Sequence, residues 1–258
     1  MTRIAVTADV LWTGARHQMA IVRAHPLFLM IGVLQPAVLL LVMFARGGPS
    51  GADVTAVATA VLLMAYWSST VWQGAAVLVR DRNSGTLGAL MRGVRDPLLV
   101  LTGKSLGASL APAALTAVTV TATLAALGET PVIADWGWFV AGLAAALLSG
   151  TALGAVLCTV LLLTRFASQI LSALLYPVFL LAGLLIPADF FPPAISWLGT
   201  LVSLRWAQAF LVSAASGAPD YGALGLVGLL TAGYALAGVL AFRRIDTLAR
   251  RRGTLELG

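Results

Sequence analysis

Charged side chains are absent from six long stretches of this sequence, 26–45, 54–79, 105–127, 136–164, 166–188 and 221–242. Only 10% of the 258 residues are charged and 60% are hydrophobic, too little polar surface to clothe a water-soluble globule of this size. A helix rises about 1.5 Å per residue and the hydrocarbon slab is about 30 Å thick, so roughly 20 uncharged residues cross it. Alternation of apolar and polar residues is also missing, which excludes a transmembrane barrel. The expectation is an all-α integral membrane protein with six transmembrane helices.

Other absences narrow the chemistry. Cys158 is the lone cysteine and lies inside the fourth stretch, which excludes a disulfide framework and a thiolate metal cluster. His17 and His25 are the two histidines, outside the spans and eight residues apart, so no metalloprotease helix pairing forms. No carboxylate, histidine or basic group sits at bilayer depth in the spans, which argues against an ion-coupled carrier and an intramembrane enzyme. No short apolar region with a small-residue cleavage site precedes Pro26, so a secretory leader is not expected.

The charge that is present sits on one side. If polar segments alternate across the membrane, residues 1–25, 80–104, Arg165 and 243–258 share a side that holds fourteen of the sixteen Lys and Arg, all but Arg46 and Arg205. The acids divide five and five. Basic bias sets orientation, so both termini are expected in the cytoplasm. The net charge of +6 is thus a topology signal, and no nucleic-acid partner is expected.

In residues 1–25, Ile4, Ala8, Leu11, Ala15, Met19 and Val22 line one helical face opposite Asp9, Thr13, Arg16 and His17, as in an amphipathic helix lying in the membrane interface. Span one carries Gln35-Pro36, a kink signal, and span two an aromatic and hydroxyl cluster that includes Tyr66, Trp67, Trp72 and Gln73. Residues 80–104 form the longest interruption, with a short amphipathic helix at Leu87, Leu90, Met91 and Val94 after Gly85-Thr86. Span three is rich in threonine, and Gly150 and Gly154 in span four predict a close helix contact. Residues 187–212 open with Pro187 and Pro192-Pro193, and the eleven apolar residues that follow, 194–204, are too few to cross, so a re-entrant outer helical segment is expected. The arginines at 243, 244 and 250–252 form a basic tail suited to anionic lipid.

Gly103-Lys104-Ser105 imitates the end of a phosphate-binding loop, but its first glycine position is Leu98 and no buried strand precedes it. Asp81, Gly85-Thr86-Leu87, Leu90 and Gly103-Lys104, followed by Tyr176-Pro177-Val178-Phe179 and Gly183 to Pro187, instead resemble the permease subunits of bacterial type-2 ATP-binding-cassette exporters over almost the whole chain. The pattern departs from the family's at Asp81, where glutamate is frequent, and at Val94, where proline is common.

The resemblance implies a single membrane domain, 1–258, in a bacterial plasma membrane. Two cytoplasmic ATPase subunits would bind ATP and magnesium, none of it held by this chain, and a second permease, identical or related, would complete the pathway. Asp81, Gly85, Thr86, Leu87, Leu90, Met91, Arg92, Gly103 and Lys104 would take up ATPase motion. Gln35, Tyr66, Trp67, Trp72, Gln73 and Phe179 are nominated for the cargo path, with helix packing the alternative for each. The cargo expected is a lipophilic or amphipathic compound, such as an antibiotic or lipid. A polysaccharide or glycoconjugate is the second reading, and a membrane anchor that recruits a cytoplasmic partner and moves nothing is the third.

Overall fold

The computed structural model describes residues 3–45, 52–86, 97–161, 164, 166–185, 190 and 192–252, and among them there is no β-strand. An N-terminal helix, Arg3–Arg23, is followed by span 1, Pro26–Ala45. The His25 side chain accepts from Leu27 N (3.3 Å) and Pro26 occupies the first turn, where its missing N–H costs nothing. Span 1 widens into a π-helical turn at Met30–Leu34, so that Gln35 N reaches Met30 O just before Pro36. Proline cannot donate to the carbonyl four residues back, and the wide turn accommodates that lost bond.

Span 2 is the centre of the bundle. Its apolar window, within Val54–Asn83, is 83% buried, against 22% for span 1 and 17% for the last span. It too is interrupted by a π-helical turn, Thr70–Gly74, and restarts at Val77. The restart leaves amide groups without a partner in their own helix, and the buried Cys158 thiol of span 4 accepts from Leu78 N at 3.2 Å. Gly85, at φ +71°, then ends the segment: its N–H bonds Arg82 O (3.1 Å) and Thr86 N bonds Asp81 O (3.0 Å), the paired closure that a left-handed glycine permits.

Span 3, Pro97–Ala126, starts eight residues before the charge-free stretch, because Lys104 is carried inside the helix. Span 4 is Trp136–Leu161. The fifth helix, Ala167–Leu181, is shorter than the apolar stretch 166–188. Gly183 at φ +74° closes it with Gly183 N to Leu180 O and Leu184 N to Phe179 O. Fifteen residues rise about 22 Å, less than a full crossing.

Helices Pro193–Thr200 and Ser203–Ala215 form the segment expected to re-enter, with the break at Leu201 and Val202. The second is bound into the bundle, since Phe210 is fully buried against Gly142 of span 4 and Gln208 Nε2 donates to Ala56 O of span 2 (2.9 Å). Span 6, Tyr221–Arg252, runs ten residues beyond its charge-free part, so the basic tail begins as helix. Spans 1 to 4 and 6 are long and apolar enough to cross a membrane.

The N-terminal helix lies along the start of span 3. Gly14, Ala15, Gln18 and Val22 are buried while Trp12, Arg16 and Arg23 are exposed, so part of the apolar stripe is taken up by protein. Glycines of span 3 allow the approach: a methyl group on Gly103 would lie 2.5 Å from Leu11 O, and one on Gly107 would overlap Ala15 O.

Candidate functional site: a charged junction and an apolar groove

The junction gathers the end of span 2, the start of span 3 and the N-terminal helix. Lys104 Nζ donates to Asp81 Oδ2 at 2.7 Å, and both side chains are nearly buried, at 11% and 12% exposed. The two helices bring together residues 23 positions apart, Asp81 from the last turns of span 2 and Lys104 from the second turn of span 3. Around Asp81, Ser84 and Thr86 hydroxyls donate to its carbonyl at 3.2 and 3.3 Å, which holds the Gly85 turn shut. Arg80 Nη2 donates to Gln73 Oε1 (3.2 Å). Gly103 and Lys104 therefore face two ways: the glycine admits the N-terminal helix and the lysine grips span 2. Leu87, Leu90, Met91 and Arg92 lie outside the described residues.

The groove lies between span 1, span 2 and the fifth helix, with a cavity volume of 640 Å³. Gln35, Trp72 and Phe179 line it, together with Ser68 and Tyr176. Gln35 Nε2 donates to Ser68 Oγ (2.8 Å), whose own hydrogen goes to Met64 O (3.0 Å). Tyr176 and Phe179 meet edge to face with centroids 6.3 Å apart. Among the described residues no charged side chain lines the groove. Both π-helical turns border it, through Met30, Ile31 and Leu34 on one side and Trp72 on the other. Gln35 directly follows the first turn, and Trp72 lies within the second.

The other nominated residues of span 2 face elsewhere. Tyr66 turns to span 4, donating to Leu147 O at 2.6 Å, where Gly150 leaves room for its ring. Trp67 is buried at 3% exposure, and Gln73 is occupied with Arg80. Gly154 packs on Thr70, so both glycines of span 4 touch span 2 of the same chain. Sequence reading missed Gly107 and the Cys158 contact. The spacing Gly103-x-x-x-Gly107 was the available signal for the first, and nothing local marks the second.

Among the described residues no three His, Cys, Asp or Glu side chains converge to hold a metal ion. The arrangement ties spans 2 and 3 together at a charged joint and leaves a groove between span 1, span 2 and the fifth helix with no charged side chain among its described lining residues. A family model described as ABC-2 type transporter matches residues 10–215, from the N-terminal helix through Ser203–Ala215. The chain belongs to the ABC-2 type transporter family. No curated protein matches the chain closely enough to add to this. As an ABC-2 permease it is a multi-pass membrane transport subunit, of the kind that works with a separate ATPase.

Proposed function

We propose that this permease is the membrane subunit of an ATP-driven exporter that moves an uncharged lipophilic or amphipathic compound outward across a bacterial plasma membrane. The observation that carries the reading is the groove: 640 Å³, uncharged among the described residues, and apolar apart from the Gln35–Ser68 pair and the polar edges of Trp72 and Tyr176. A cargo of that chemistry needs no counter-charge in the membrane, and an uncharged path favours it over an ion.

In this reading both termini are cytoplasmic, two ATPase subunits dock at the end carrying Asp81 and Lys104, and a second permease chain closes the groove formed by spans 1 and 2 and the fifth helix. Nucleotide-driven movement enters through residues 80–104 and the N-terminal helix, and the Asp81–Lys104 pair makes spans 2 and 3 respond together. Gln35, Trp72 and Phe179 meet the cargo.

The test is transport into inside-out vesicles holding the permease with its ATPase, using a neutral fluorescent lipophilic dye and, separately, a fluorescent lipid-linked oligosaccharide. ATP-dependent dye uptake that falls in Gln35→Leu and Phe179→Ala supports the reading. Uptake of the oligosaccharide alone would replace it by the glycoconjugate reading, which the aromatic trio Trp72, Tyr176 and Phe179 makes the natural second. ATP-dependent uptake of neither would leave an anchoring role.

A further inference from the structure

A second groove, of 370 Å³, lies away from the first, between the N-terminal helix and spans 3, 4 and 6. Its lining is leucine, alanine, valine and glycine with four threonines. All four hydroxyls are already used inside their own helices: Thr102 on Leu98 O, Thr151 on Leu147 O, Thr159 on Ala155 O and Thr231 on Val227 O, at 2.6 to 2.8 Å. The walls therefore offer an occupant no free side-chain donor, and with an otherwise aliphatic lining what fits is hydrocarbon.

The groove also has a direction. Thr231, Ala235 and Val239 of span 6 line it, and the next residue on that four-residue stripe is Arg243, exposed at the end where Leu11 and Leu98 also lie. Arg244 is exposed beside it, and among the described residues the guanidinium groups of Arg243 and Arg244 have no hydrogen-bond or ion-pair partner, the Arg243 carbonyl alone accepting from Thr247 Oγ1 (2.8 Å). From Thr231 to Val239 the helix rises about 12 Å, close to the roughly 15 Å depth of one leaflet. Span 6 is largely bare, so the opening is reached from the side.

We propose that this groove is a binding site for one anionic phospholipid, its acyl chain between spans 3, 4 and 6 and its phosphate at Arg243. The occupied site packs against Leu11 and so braces the N-terminal helix on span 3. The proposal is independent of what the first groove carries.

The test is native mass spectrometry of the full-length permease in mild detergent, titrated with palmitoyl-oleoyl phosphatidylglycerol or the phosphatidylcholine of the same chains. Expected is a single tightly retained phosphatidylglycerol, preferred over phosphatidylcholine. Arg243→Gln should weaken it about five-fold, the worth of one basic residue beside an anionic headgroup. Ala235→Trp, which fills the groove from an exposed backbone position, should remove the tight lipid of either headgroup while leaving the melting temperature and elution profile unchanged. Many lipids bound with no headgroup preference, or the same single lipid in both variants, would overturn the site. So would loss of the preference in an Arg250→Gln, Arg251→Gln, Arg252→Gln variant with Arg243 intact, because the tail alone would then be the attraction.

Discussion

Removing one member of the Asp81–Lys104 pair should be among the most damaging single changes in this protein. The charges are 2.7 Å apart and close to nine-tenths buried, so Lys104→Met leaves a carboxylate facing a medium that cannot solvate it, and Asp81→Asn strands an ammonium group. Breaking a buried pair from one side costs about 3–5 kcal/mol. On the scale of about 2–4 °C per kcal/mol for a chain near this size, each single variant should melt roughly 6–20 °C lower. Changing both residues together removes the charges as well as the bond, so Asp81→Asn with Lys104→Met should lie within about 1 kcal/mol of the starting protein. The assay is thermal unfolding in detergent followed by size-exclusion fluorescence on all four proteins. Single variants that melt within 2 °C of the parent, or a double variant that falls by the sum of the two, would refute the pairing as the joint between spans 2 and 3.

Gly107→Ala places a methyl group against Ala15 O, a backbone atom that cannot rotate away, so it should cost about 1–3 kcal/mol and detach the N-terminal helix. Faster protease cleavage within residues 3–23 checks it. Gly150→Ala meets the Tyr66 ring carbons at 2.6 and 2.7 Å as well as its hydroxyl, so it should push the ring off its bond to Leu147 O, the bond that Tyr66→Phe also removes; the pair should therefore destabilise by less than the sum of the singles in a double-mutant cycle of melting temperatures. Gly85→Pro deletes the N–H that bonds Arg82 O and cannot adopt φ +71°. It should abolish stimulation of the partner ATPase while the spans still fold; unchanged stimulation removes this turn from the coupling path. Cys158 is fully buried and should resist maleimide in the folded protein, and Cys158→Val should cost about 1 kcal/mol through the unmet Leu78 N–H, with Cys158→Ser costing less.

Hydropathy located the helices well because a membrane crossing demands a long charge-free run, and that demand is written residue by residue. It misplaced ends where something other than charge sets them. Span 3 begins at Pro97 because Lys104 is neutralised by Asp81, a partner in another helix that no local window contains. The fifth helix stops at Leu181 because Gly183 turns left-handed, a conformational event inside an unbroken apolar stretch. Side-chain direction was the least legible feature. Gln35, Trp72 and Phe179 line one groove while Tyr66, Trp67 and Gln73 do not, and spans 1 and 2 each carry a π-helical turn, Met30–Leu34 and Thr70–Gly74, that departs from the 3.6-residue period by which a sequence is read. Pro36 signals the first of those turns; the second has no proline to announce it.

The most direct measurement is co-purification of the tagged permease from its native membrane in a gentle detergent, with identification of what comes with it and assay of ATP hydrolysis. A stoichiometric cassette ATPase whose hydrolysis depends on this chain and is lost in Gly85→Pro is the predicted result. A permease that emerges alone, with no ATPase bound or stimulated, would contradict the account.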